Sequence, residues 1–369
     1  MPSPRFRVYI GPAGGSLTSE FTNVQSVTVN TGRRSPLEAY RSNTATFTVR
    51  YPNGYASPSA LVVPGSIIAI YIDDGTTNRP CFYGQVSDAE VVYGKPYSSN
   101  VGPADYLTVS CESYFAVLGR AQGNGYSLAA ASLNTQSNAI NNDRGFQIFA
   151  ISTFGAEVPF PATTINGTFA DWANLVALTF NGRIRDYGTT LSIVNQYYKT
   201  PEVFGGFSDD GTAGTSRYTE ITFDSLADNY YTQVVVDPES YAEQTVQTGS
   251  SPYRTYKVNT LNSSTGQALD YANYLLSTYS DPALAISSLR VFLNDTTLNP
   301  IYGAGYESTQ VSVKFRGTTY QCIVEGATFS GTPSGGIYAT FHVSGADLNN
   351  YLLLDNAVYG RLDFNKLGY

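Results

Sequence analysis

Thr44-Ala45-Thr46-Phe47-Thr48-Val49-Arg50 alternates polar residues with apolar or small ones. Successive side chains of a strand point to opposite faces, so Ala45, Phe47 and Val49 share one face and the threonines take the other. Comparable β-rich runs lie on either side, at Arg5–Ile10, Val24–Thr31, Ile67–Ile72, Phe82–Val92 and Tyr106–Glu112. Between them stand Gly11-Pro12, Pro52-Asn53-Gly54, Pro64-Gly65, Asp73-Asp74-Gly75 and Gly102-Pro103. Short strands at this spacing, punctuated by Gly, Pro and Asn, predict a small β-barrel or sandwich over residues 1–120.

The character changes after Gln122. The stretch Gln122–Asn142 is rich in Asn, Ser, Ala and Gln and reads as a loop or a weak helix. Thr168–Phe180 has a helical period: Phe169, Trp172, Val176 and Thr179 or Phe180 fall on one face, with Thr168 placed to cap the start and Gly182 the end. Ser208–Ser216 reads as a surface loop. Strands resume at Glu220–Phe223, Gln233–Val236 and Tyr253–Val258. Ser264 then stands three residues before Gln267, the spacing of a capping box. Ala268, Ala272, Leu275 and Tyr279 form the apolar stripe of this second helix, and Pro282 closes it. Strands Leu289–Leu293, Gln310–Phe315, Tyr320–Ala327 and Ile337–Val343 complete the body.

The fold class expected is therefore mainly β with minor α. Two small barrel or sandwich domains, 1–120 and 219–349, flank a mixed α/β middle domain, 121–218, and the second carries one inserted helix. Residues 350–369 are expected to form an extended strap. In it Leu354-Asp355 and Leu362-Asp363 each join an apolar anchor to a carboxylate, Tyr359-Gly360 turns between them, and the sequence stops on Gly368-Tyr369.

The two β domains echo each other. Gln85-Val-Ser-Asp-Ala89 leads to Leu107-Thr-Val-Ser110, and Ile323-Val-Glu-Gly-Ala327 leads at a slightly shorter distance to Tyr338-Ala-Thr-Phe-His-Val-Ser344. In each case a strand carrying Val-x-x-Ala precedes a strand containing Thr and Ser, a pattern compatible with duplication.

Composition bounds the partners. Charged residues make up 14%, net charge is −8, and the chain holds 30 Tyr, 16 Arg and only five Lys. Tyr and Arg are enriched in protein interfaces and Lys is depleted, which points to a protein that works assembled; Tyr also suits any pleated surface. No basic cluster exceeds Arg33-Arg34, so counterion release cannot drive nucleic-acid binding. The most apolar stretch, Ala60–Ile72, is broken by Pro64-Gly65 and falls short of the ~20 residues that span a bilayer. The N-terminal residues lack the apolar core of a signal peptide. Cys81, Cys111 and Cys322 are too few and scattered for a disulfide framework, so synthesis in a reducing cytosol is expected.

Catalytic chemistry is not expected. His342 is the lone histidine and alternates within a strand, with no GxSxG elbow and no companion metal ligands. The Gly-rich runs Gly11–Gly15 and Gly331–Gly336 lack the Lys of a phosphate cradle. Asp73-Asp74, Asp209-Asp210 and Asp237 with Glu239 are the serious candidates for a glycosidase pair, whose groups must lie ~5–10 Å apart. Asp-Asp-Gly is better explained as turn chemistry. No catalytic, cofactor-binding or metal-binding residue is assigned.

Several segments in order resemble the minor tail, or tail-hub, proteins of long-tailed bacteriophages. Thr31-Gly-Arg-Arg34, Ser42–Gly54 and Ser57-Pro58 look like the N-terminal module of that family, and Phe82-Tyr-Gly-Gln-Val86 like its aromatic-x-Gly-x-Val strand. Leu107–Ser113 through Leu118-Gly-Arg120 is similar to the strand and turn that close the module. Ala170–Arg185 resembles the short middle helix, Gln267–Ser280 with Leu289–Leu293 the late helix and strand, and Leu354–Tyr369 the ending. The resemblance implies two tube-type β domains per chain in a homotrimeric hub at the virion tail tip. Such a hub adapts a sixfold tail tube or distal tail ring to a threefold fibre or spike, contacts the tape measure protein, and lets DNA transit without specific binding or membrane insertion. The alternatives are a receptor- or carbohydrate-binding tail-tip module and, behind it, a cell-wall- or capsule-degrading tail enzyme.

Overall fold

The computed structural model describes residues 4–52, 62–73, 75, 77–94, 104–144, 152–154, 159–179, 182–187, 190–194, 203–212, 214–225, 229–280, 285–293 and 309–345. The expected strap at 350–369, and Asp74, lie outside these residues.

The first unit holds β1 (Arg5–Gly11), β2 (Ser19–Glu20), β3 (Val24–Gly32), β4 (Thr44–Tyr51), β5 (Ile67–Asp73), β6 (Asn78–Val92) and β7 (Asp105–Glu112). Their order across the sheet is β3-β4-β7-β6-β5-β1-β2, antiparallel throughout. The alternating heptapeptide is β4, and its Ala45, Phe47 and Val49 are buried as the period of two requires.

The middle region holds α1 (Phe115–Arg120), β8 (Tyr126–Leu128), β9 (Ala131–Ser132), α2 (Leu133–Arg144), β10 (Ser152–Phe154), β11 (Pro159–Phe160), β12 (Thr163–Ile165), α3 (Phe169–Thr179), β13 (Arg183–Tyr187) and β14 (Thr190–Val194). Where a strand and turn were expected through Arg120, the chain winds into α1, which buries Phe115 and Leu118 in one cluster with Phe169, Trp172 and Val176 of α3. The ambiguous Asn/Ser-rich stretch becomes β8, β9 and then α2. Its polar side chains are tied to the backbone: Gln136 donates to the carbonyls of Ala129 and Pro161, and Ser137 to that of Leu133. In α3, Asp171 N–H donates to Thr168 Oγ1 at 3.1 Å and Thr168 N–H to Asp171 Oδ2 at 2.8 Å, a reciprocal cap. Gly182 N–H donates to Ala177 C=O at 2.7 Å and ends the helix.

The second unit holds β15 (Val203–Ser208), β16 (Thr215–Arg217), β17 (Glu220–Asp224), β18 (Gln233–Pro238), β19 (Gln244–Gln247), β20 (Thr255–Thr260), α4 (Thr265–Tyr279), β21 (Ala285–Phe292), β22 (Gln310–Phe315), β23 (Thr318–Thr332) and β24 (Gly336–Gly345). β18, β19 and β20 form a small sheet on which α4 packs Ala268, Ala272 and Leu275 against Val234, Val236 and Val258. Ser264 Oγ accepts Gln267 N–H at 3.2 Å, but Gln267 Oε1 accepts from Ser263 N–H at 2.9 Å, so the capping box closes one residue upstream of the predicted partner. Five of the remaining strands run β22-β23-β24-β21-β17, antiparallel to their neighbours, and β15 and β16 extend the β22 edge in parallel.

The two units are joined. β3 pairs with β23, and a 14-stranded sheet runs through both, with one core that holds Val29 and Phe47 beside Phe329 and Phe341. Among the described residues the strand path ends at β16 and β2, so the sheet is open and the barrel form of the expectation is not realised.

Candidate functional site

The units repeat one arrangement. In chain order the five strands β3, β4, β5, β6, β7 and the five strands β17, β21, β22, β23, β24 take the same spatial order: third, fourth, fifth, second, first. The fourth strand is 15 residues long in each, and each carries a bulge at the same point of its ladder. Gln85, Val86 and Asp88 pair with Glu112, Cys111 and Ser110; Ile323, Val324 and Gly326 pair with Ser344, Val343 and His342. The echo in the sequence therefore marks equivalent ladder positions. Bulges of this kind bend a strand and strengthen its twist.

At the seam between the units, Gly32 stands opposite Gly326. A Cβ on Gly326 would lie 2.3 Å from Thr31 O, and one on Gly32, whose φ is +66°, 2.3 Å from Glu325 O. The backbones approach too closely there for any side chain. Arg33 N–H donates to Glu325 C=O at 3.1 Å.

The bulged residue Glu325 turns its side chain into a buried charge cluster. Arg33 Nε donates to Oε2 at 2.9 Å, Arg183 Nη2 to Oε1 at 2.6 Å, and Ser344 Oγ to Oε1 at 2.5 Å. All three charged side chains are nearly inaccessible. Burial alone would raise the Glu325 carboxyl, but the Arg183 and Arg33 guanidiniums and their hydrogen bonds outweigh it and hold it well below the ordinary range. Tyr40 lies 4.6 Å below the Arg33 guanidinium. First unit, middle region and second unit thus meet on one carboxylate. A second buried acid, Asp186, accepts from Ser113 Oγ and from Phe115 N–H; burial pushes its carboxyl up to about 6 against those hydrogen bonds. Periodicity and motif spacing gave no sign of either acid, because charges this far apart in sequence carry no local pattern.

The carboxylates considered as an acid pair are engaged separately. Asp73 accepts Gly75 N–H at 2.8 Å in a turn where Gly75 has φ +88°, and Arg5 lies 3.3 Å away. Asp209 accepts Arg316 N–H at 2.7 Å, and Asp210 pairs with Lys314 at 2.6 Å. Asp237 pairs with Lys257 at 3.0 Å, and Glu239 accepts from Thr163. His342 is half-buried in β24, and burial followed by the nearby Arg34 lowers its pKa. Among the described residues no three potential metal ligands converge, and no helix is long and apolar enough to cross a membrane. The arrangement offers mechanical joining of sheets.

No protein-family model matches the chain, and no curated protein matches its sequence. Solved structures do match its fold. The tail protein from Neisseria meningitidis MC58 aligns with TM-score 0.66 at 12% identity, over 94% of this chain and 97% of its own. The 43 kDa tail protein of prophage MuSo2 from Shewanella oneidensis aligns with TM-score 0.61 at 12% identity, over 92% and 97%. The E. coli c3393 protein, a type VI secretion system component with structural similarity to the T4 bacteriophage tail proteins gp27 and gp5, aligns with TM-score 0.52 at 9% identity, over 92% and 77%. The chain therefore shares its mainly β fold, over nearly its whole length, with two tail proteins and with a secretion-system component.

Proposed function

We propose that this chain is a structural virion protein that forms the hub at the distal end of a phage tail. Three copies close a ring, so that two equivalent β units per chain present six units to the tail tube or distal tail ring and three repeats to the fibre or spike. The single observation that carries this reading is the repeated five-strand arrangement, with its repeated bulge, joined edge to edge within one polypeptide. A duplicated unit reuses one interface and so converts sixfold to threefold symmetry. The likeness in fold to tail proteins supports the same reading.

The role is geometric and needs no reacting side chain. The ring sits at the virion tail tip after synthesis in the host cytoplasm, meets the tape measure protein, and passes DNA without gripping it. A net charge of −8 suits a conduit of that kind, since an acidic or neutral lining does not hold a polyanion. The subunit interface expected of an obligate ring exceeds roughly 2,000 Å². Sedimentation with negative-stain imaging tests the reading. A threefold ring of three times the 39.8 kDa chain mass is expected. A compact monomer at micromolar concentration overturns it.

A further inference from the structure

The seam inside the chain is one contact of a kind whose two halves the chain presents once more. In it, the first strand of one unit (β3) pairs with the C-terminal half of the fourth strand of the other (β23), and Val27 and Thr28 stand opposite Gly331 and Ser330. The equivalent first strand of the second unit is β17, which among the described strands pairs only with β21. The equivalent half-strand of the first unit is the end of β6. There β5 pairs as far as Gln85, and Gly65 and Ser66 extend the contact to Val86. Beyond Val86 the described strands pair with β6 on its β7 side only.

We propose that β17 of one copy adds to the β6 edge of a second copy and so repeats between chains the seam that β3 and β23 make within one. The proposal rests on the reading that copies of this chain assemble, and it names the surfaces that do so. Aligned on their bulges, the fourth strands equate Gly326 with Asp88, and therefore Ser330 with Val92 and Gly331 with Tyr93. Across the other ladders, Val27 opposes Phe47 and then Val109, while Ile221 opposes Leu289 and then Phe341, so Val27 equates with Ile221 and Thr28 with Thr222. The register that follows sets Ile221 opposite Tyr93 and Thr222 opposite Val92. The bulge at Ser287 of β21, between the partners of Thr222 and Phe223, shifts the ladder there, so the assignment is confined to these two pairs.

Three observations agree with it. Opposed residues of an antiparallel pair share a face, and the faces match: Ala89 and Val91 on one edge, and Ile221 and Phe223 on the other, point to the core yet stay only partly covered. Val92 and Tyr93 are 53% and 65% exposed, and Tyr106, paired with Val92 across β7, is 40% exposed, an apolar surface at the very edge concerned. An unpaired strand edge of this kind is a template for another chain. Finally, Thr222 C=O accepts from Ser287 of β21 at 3.3 Å, so its main-chain groups face away from the open edge. Thr222 and Val92 would then be a non-hydrogen-bonded pair, with Cα atoms about 4.5 Å apart, within reach of a disulfide.

The test uses the full chain carrying Thr222→Cys with Val92→Cys, both at exposed positions, oxidised in the assembled state. The three native cysteines are buried. Intermolecular disulfides between the two introduced thiols are expected in most chains, identified by mass spectrometry. Neither single substitution, nor Thr222→Cys with the off-register Glu90→Cys, should yield more than about a tenth as much. A ring that forms without this cross-link, or that links equally well through position 90, overturns the strand-edge assignment and leaves the hub reading intact. A chain that stays monomeric, with an unchanged melting profile, overturns both.

Discussion

Arg33 and Glu325, 292 positions apart in sequence, meet twice at the seam: Arg33 Nε donates to Glu325 Oε2 at 2.9 Å and Arg33 N–H to Glu325 C=O at 3.1 Å. The side-chain bond lies on the main-chain ladder that joins the two β units, with Arg183 of the middle region on the same carboxylate. A buried ion pair adds little net stability compared with apolar residues of the same shape, but removing one partner strands the others.

Glu325→Gln should therefore cost about 3–5 kcal/mol, because two nearly inaccessible guanidiniums lose their counter-charge. Chemical denaturation, with the midpoint lowered and the slope unchanged, is the measurement. A loss below about 1 kcal/mol would show that water reaches the cluster.

Gly326→Ala should destabilise by about 1–3 kcal/mol or more, since the new Cβ falls 2.3 Å from Thr31 O and 2.7 Å from Arg33 O, both main-chain atoms. Gly345→Ala is the matched control: it lies on β24, which pairs with β23, and a Cβ there has nothing within 4 Å. Thermal melts of the two variants side by side should differ by several degrees.

Asp186 should leave a mark on the pH dependence of folding. Its carboxyl is raised from 3.8 to about 6, so in the native state it keeps its proton longer than in the unfolded chain. Its contribution is greatest below about pH 4 and is lost as pH rises to about 6, on the order of 1–3 kcal/mol. Asp186→Asn removes the ionisation, so its stability relative to wild type should rise across that window and level off above it. Glu325 acts with the opposite sign and at lower pH, its stabilisation fading only below about 4.5, so the difference between variant and wild type isolates Asp186.

The thiols should be inert in the folded chain. Burial raises Cys81, Cys111 and Cys322, the last to about 12, which leaves almost no thiolate at neutral pH. A thiol reagent should label three groups only after denaturation. Rapid labelling of the native protein would show that the sheet opens locally.

The strands were legible because their signal is local. Phe47 is buried where the alternation in β4 puts it, and Thr168 and Ser264 both accept a first-turn amide as their spacing predicts. Helix α1 was not, since Phe115–Arg120 is a short run whose helicity comes from packing Phe115 and Leu118 beneath α3. The joining of both units into one sheet was equally hidden, because nothing in Val24–Gly32 names Gly326–Gly331 as its neighbour. The short echo around Val86 and Val324 was a trace of the repeated unit and not of the seam, and it fell on the two bulges.

Because β3 and β23 belong to one polypeptide, their contact forms during folding and does not weaken on dilution. An intramolecular partner is always present at a high effective concentration. A ring of six units made from such chains needs only half its joints to be found by diffusion, and those remaining joints alone set the protein concentration at which it comes apart.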